Sequence, residues 1–135
     1  MFHKQNIMEY YFSKIVPAEF AEAIDLTKKA LATEGFGVIS EIDMQGKFKE
    51  KLGVDYKKYT ILGACNPSYA YKALQLEERI GTMLPCNVVV IDRGDGTTEV
   101  AAVHPVASMM AIQNASLQSI AKEVTDKLEK VIKAL

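Results

Sequence analysis

The feature that most limits this chain is a run of four β-branched residues, Val88-Val89-Val90-Ile91, followed closely by Glu99-Val100-Ala101-Ala102-Val103-His104. Consecutive β-branched side chains favour an extended, pleated backbone. The connection between the two runs carries Gly94 and the dipeptide Asp95-Gly96, residues that turn a chain tightly. The two runs are therefore expected to pair antiparallel as a hairpin, with Cys86–Arg93 and Glu99–His104 as its arms and Pro105 ending the second.

Ahead of the hairpin, strand-like and helix-like segments alternate. Met8–Val16 reads as a strand, and Val16-Pro17 ends it. A helix is expected from Pro17 to about Glu34, with Phe20, Ile24, Thr27 and Leu31 at helical spacing and Glu19 and Glu22 near its start. Gly35 supplies the left-handed residue past its end, and Phe36 the apolar partner of that cap. Phe36–Asp43 reads as a strand with Phe36, Val38, Ser40 and Ile42 on one face and Ile39 and Glu41 on the other. Met44, Phe48 and Leu52 mark a short amphipathic helix closed by Gly53, and Tyr59–Cys65 is the third strand.

Asn66-Pro67-Ser68 then turns the chain into a helix whose stripe, Tyr69, Ala73, Leu76 and Ile80, runs to Gly81. Beyond the hairpin, Val106–Ala115 is expected to be loop or a short helical turn. The closing helix has the cleanest stripe in the chain: Leu117, Ile120, Ala121, Val124, Leu128, Val131, Ile132 and Leu135, with Ser116 as its N-cap. The order β-α-β-(α)-β-α-β-β-α suits a two-layer α+β domain, a mainly antiparallel sheet with helices packed on one face. No repeat or linker divides the chain, so residues 1–135 are expected to form a single domain. A sheet face left bare needs a partner, and a homodimer through that face or through a sheet edge is the expected solution.

Composition narrows the partners. Apolar residues make up 49% of the chain and charged ones 24%, with a net charge of −1. The lysines are dispersed among acidic residues, so neither nucleic acid nor an anionic membrane is expected as a partner. No apolar run approaches the roughly 18–20 residues that span a bilayer. Met1–Ile7 lacks the apolar stretch of a secretory leader, and a cytoplasmic location is expected. In a reducing compartment the two cysteines would be free thiols rather than a structural disulfide. There is no CxxC pair and no dense Cys/His cluster.

Those two thiols, Cys65 and Cys86, each stand at a strand end and each precede an asparagine, Asn66 and Asn87. Two readings stay open. In one, the strand tips converge on an accessible hollow, and the thiols bind a small ligand or a soft metal ion. In the other, both are small buried hydrophobes. His104 depends on the hairpin loop: three residues (Gly94-Asp95-Gly96) set Cys86 opposite it, whereas the two-residue Asp95-Gly96 turn sets Asn87 there. A metal set would comprise Cys65, Cys86 and His104, with Met109 or Met110, and would suit zinc or copper. Asn66 and Asn87 would either orient a polar ligand or bond their own backbone as turn and cap residues.

No phosphate-binding loop, GxSxG elbow or HExxH helix is present, and Glu41, Glu77 and Glu78 show no recognisable pairing. The expected function is therefore binding of a small ligand or soft metal by a homodimer, with ligand contacts from Cys65, Asn66, Cys86 and Asn87. The alternatives are a thiol-dependent redox or catalytic protein using Cys65, and a purely structural or interaction module.

The run Gly63-Ala64-Cys65-Asn66-Pro67, followed by Ala70 and Ala73-Leu74, then Leu84-Pro85-Cys86-Asn87-Val88-Val89-Val90 and His104-Pro105, resembles the domain-of-unknown-function 302 family. The resemblance extends from the Phe20 helix through Glu34-Gly35-Phe36 to the closing helix. It implies an α+β fold and a homodimer, and brings no accepted activity with it. Members often carry an aspartate where this chain has His104, so His104 departs from that pattern.

Overall fold

The computed structural model describes residues 9–135, so the expected strand residue Met8 and the segment Met1–Ile7 lie outside the described residues. The elements are β1 (Tyr11–Val16), α1 (Phe20–Thr33), β2 (Gly37–Asp43), α2 (Met44–Leu52), β3 (Tyr59–Cys65), α3 (Pro67–Leu76), a 3-10 segment (Glu78–Met83), β4 (Cys86–Asp92), β5 (Thr98–Val103), α4 (Pro105–Ser108) and α5 (Ala115–Lys133). The strands form one sheet in the order β1-β5-β4-β3-β2, antiparallel at every junction.

The hairpin closes through three residues. Arg93 N–H donates to the Thr97 carbonyl at 3.1 Å. Gly94 and Gly96 take φ of +78° and +86°, a conformation that costs a side-chain-bearing residue. Ile91 then pairs with Glu99, and Val89 with Ala101.

Alternation along these strands separates two unlike faces. Leu62, Val88, Val90, Val100 and Ala102 are wholly buried toward the helices, against Ala23 and Leu31 of α1 and Leu128, Val131 and Ile132 of α5. Burying each such aliphatic side chain contributes about 1.5–3 kcal/mol before entropy is counted, which makes this layer the main source of cohesion. The opposite face carries Tyr11, Tyr59, Val89, Ile91 and Val103, half-buried, and Ile15, exposed. The α+β architecture with helices against an antiparallel sheet is the one expected.

Several boundaries differ from expectation, each for a local reason. Helix α1 starts at Phe20 rather than Pro17, because Ala18 is buried and its carbonyl accepts a 2.8 Å bond from Thr98 Oγ1. At its other end, Gly35 (φ +86°) and Phe36 donate backbone N–H groups to the Ala32 and Leu31 carbonyls, the paired closure its sequence implied. In β2 a bulge between Val38 and Ser40 reverses the alternation: Val38 pairs with Ala64, but Ser40 pairs with Gly63. The single stripe Val38–Ser40–Ile42 is therefore split between faces.

Helix α3 ends at Leu76, because Glu77 takes an extended conformation and its carboxylate accepts the Arg79 N–H at 2.9 Å. Ile80 still reaches the core, from the following 3-10 segment. The N-cap of α5 is Asn114, not Ser116: Asn114 Oδ1 accepts the Leu117 N–H at 3.0 Å. Among the described residues no helix is long and apolar enough to cross a membrane.

Candidate functional site

Strand β3 ends where Asn66-Pro67 turns the chain into α3, with Pro67 in the first helical turn. Asn66 does not cap that helix. Its Nδ2 reaches back to donate to the Glu34 carbonyl at the end of α1, at 3.1 Å. Gly35 lies against this amide; a Cβ there would stand 3.2 Å from Asn66 Nδ2. Asn66 thus ties the β3–α3 junction to the α1 cap.

Cys86 opens β4 opposite Ala64 and is buried; Cys65 is half-buried at the next position along β3. Both cysteines line an apolar cavity of about 40 Å³ between the sheet end and the helices, walled by Ala64, by Ala70 and Ala73 of α3, and by Ala121 of α5. That volume holds roughly two or three water-sized groups. A larger and more open hollow of about 350 Å³ adjoins it, bordered by Thr82, Asn87 and Ser108. Leu84, Pro85, Cys86, Pro105 and Met109 line both.

Burial, with a smaller contribution from the neighbouring Cys65, pushes the Cys86 thiol up to about 11. It is therefore protonated near neutral pH, which does not suit a nucleophile.

The three-residue hairpin loop fixes the register that, continued past Val88–Ala102, sets Cys86 opposite His104. The imidazole is nevertheless used elsewhere. Its ring stacks on Phe12 at 4.7 Å between centroids, and its Nδ1 accepts the Ala107 N–H at 3.4 Å as the N-cap of α4. His104 lines neither hollow. Among the described residues no three His, Cys, Asp or Glu side chains gather closely enough to hold a metal ion, so Cys65, Cys86 and His104 do not form the expected set. Met109 is buried in the wall shared by the two hollows, while Met110 is exposed and lines neither.

Asn87 is exposed, paired with Gly63, and borders the outer hollow rather than the inner cavity. Alternation sends it to the face opposite Cys86, so the two Cys-Asn motifs do not present their four side chains to one space.

The alanines 70, 73 and 121 escape a motif search because they read as ordinary members of helical stripes. The signal that could have found them is size: small residues on facing helices leave room where larger ones would fill it. Pro85 is part of the same construction. Its Cγ and Ser40 Oγ stand where a Cβ at position 63 would go, so Gly63 lets the connection before β4 close over the sheet.

Fold and site together define a class: a two-layer α+β domain with a small apolar cavity at the strand ends of an antiparallel sheet and one sheet face left open. The chain belongs to the DUF302 family, whose model, "Domain of unknown function DUF302", matches residues 12–135. It is similar to the crystal structure of an uncharacterized conserved protein DUF302 from Bacillus stearothermophilus, with a TM-score of 0.86 and 28% identity, covering 93% of this chain and 98% of that one. An "Uncharacterized protein" of Aquifex aeolicus (strain VF5) is 26% identical over 94 residues. The match takes in 70% of this chain and 59% of that relative, so the chain spans less than two thirds of the relative's length.

Proposed function

We propose that this chain is a small-molecule-binding domain that works as a homodimer, with its site at the β3 and β4 strand ends. One observation carries the reading: an apolar cavity holding both cysteines adjoins an open hollow through five shared residues. Alone, the inner cavity is too small for a ligand site; with the outer hollow the space reaches the range of about 300–1,000 Å³ typical of such sites. The cavity has no polar group in need of a partner, since every buried side-chain nitrogen and oxygen among the described residues is hydrogen-bonded.

The test is xenon, an apolar probe of the right scale. Under xenon pressure, methyl NMR signals of Ala73, Ala121 and Met109 shift, and the cavity-filling variants Ala73→Leu and Ala70→Leu lose the response while staying folded. Silence at all three methyls would remove the ligand-site reading.

A soft metal is the weaker occupant, with His104 engaged by Phe12 and Ala107. A dithiol redox cycle is disfavoured at Cys86, whose buried thiol keeps its proton near neutral pH.

The second copy is assigned to the open sheet face. Tyr10, Tyr11, Tyr59, Val89, Ile91 and Val103 border a hollow of about 320 Å³ there, and Asn87 lines both it and the outer ligand hollow. Five strands of about six residues span roughly 24 by 20 Å, so two copies would bury about 1,000 Å², the lower bound for a specific interface. Among the described residues Glu99 is the one charged residue lining that hollow, and its carboxylate accepts from Arg93 Nη1 at 2.9 Å. The patch is thus compensated in charge and compatible with itself.

A further inference from the structure

Resting on the ligand site just proposed, we infer the class of molecule it takes: a neutral amphiphile, with an alkyl end of about two or three carbons in the inner cavity and an uncharged, hydrogen-bonding head against Asn87 in the outer hollow.

Three observations lead there. The first is the split in polarity. The inner cavity is walled mainly by alanines, proline, leucine and the two thiols; the polar residues that reach it, Asn66 and Tyr69, bond to Glu34 and Glu123, whereas Thr82, Asn87 and Ser108 border the outer hollow. A molecule spanning both must itself be apolar at one end and polar at the other. The second is charge. Among the described residues no Asp, Glu, Lys or Arg lines either space. A carboxylate, phosphate or ammonium head finds no opposite charge there, and shedding even part of its hydration against the apolar wall costs it more than it costs a neutral head.

The third is the state of the polar groups. Thr82 Oγ1 donates to the Arg79 carbonyl at 3.0 Å, and Ser108 Oγ donates to the Pro105 carbonyl at 3.1 Å. Both hydroxyl hydrogens are taken, so these oxygens are left to accept. Among the described residues the exposed Asn87 amide has no side-chain hydrogen bond, and it offers a donor and an acceptor together. A head that both donates and accepts, such as a primary carboxamide or an alcohol, matches this arrangement. Met109 and Leu84 stand in the shared wall, and the unbranched thioether side chain can adapt to a guest passing between the spaces.

Butanamide and butanoate are suitable probes, equal in chain length and different in charge. Titrated into the full chain and followed at the Met109 and Ala73 methyls, butanamide binds at least about tenfold more tightly than butanoate. Asn87→Ala weakens butanamide by about three- to tenfold and leaves butanoate unchanged. Ala70→Leu removes the Ala73 response to butanamide. Because Asn87 is exposed, its variant folds as the parent does; since Asn87 also lines the sheet-face hollow, sedimentation velocity must show the same oligomeric state for variant and parent before the loss is assigned to the ligand head.

Equal binding of the two probes, or indifference of butanamide to Asn87→Ala, overturns the amphiphile assignment. If xenon still shifts the inner methyls in that case, the cavity itself stands as a site. If xenon also fails, the site and its ligand class fall together.

Discussion

At the scale of single residues, the two cysteines are chemically unlike despite their matched sequence settings. Cys65 is half-buried; Cys86 is buried, and its thiol is raised from about 9 to about 11. An aromatic disulfide reagent near pH 8 should modify one thiol quickly in the folded protein and the second only on unfolding, with Cys65→Ser abolishing the fast phase. The raised value also bears on stability. Unfolding frees the Cys86 thiol to ionise at its ordinary value, so above about pH 9 the unfolded chain sheds a proton that the folded chain keeps. The resulting stabilisation of the folded state is complete below that pH and is lost as pH rises toward about 11. The change amounts to roughly 3 kcal/mol. Urea unfolding between pH 8 and 11 should therefore show a fall in midpoint that is smaller in Cys86→Ala. Parallel curves for the two proteins would place that thiol in contact with solvent.

At the scale of elements, helix ends are set by side chains that no periodicity reveals. Asn114 and Ser116 are both residues that cap helices well, yet Asn114 holds the Leu117 N–H. Asn114→Ala should cost about 1 kcal/mol of stability. Ser116→Ala, inside the first turn and exposed, should change it by less than about 0.5 kcal/mol. Thermal or urea unfolding of the pair measures the difference, and the reverse ranking would move the cap. At the far end of α5, Lys14 of β1 donates to the Lys133 and Leu135 carbonyls, placing a cation at the negative end of the helix. This contact joins residues more than a hundred positions apart; the pairing of Lys14 with Val100 is what turns the lysine side chain toward the helical layer.

At the scale of the whole molecule, the described helices pack on one sheet face, and the proposed homodimer places a second copy on the other. Val89 lies mid-sheet on the open face, opposite Ile61 and Ala101 and away from the core. Val89→Lys should leave the fold intact and shift the protein from dimer to monomer in sedimentation velocity at micromolar concentration. A parent chain already monomeric under those conditions would leave the face to a different partner.

What the chain's own order of residues determined is the element list and the antiparallel hairpin. β-branched runs, helical stripes and glycines past helix ends are local signals, because backbone preference and side-chain periodicity act over a few neighbours. The placement of both thiols at strand ends was legible for the same reason. The hairpin loop length was not: two- and three-residue closures were both compatible with Gly94-Asp95-Gly96, and sheet pairing chose the longer one. The bulge at Ser40, the departure of His104 toward Phe12, the use of Asn66 as a tie to Glu34, and the space left between Ala73 and Ala121 are likewise tertiary decisions. Each depends on which distant groups meet. A cavity in particular is the volume that packing fails to fill, a property of the assembled helices and sheet and of no one of them alone.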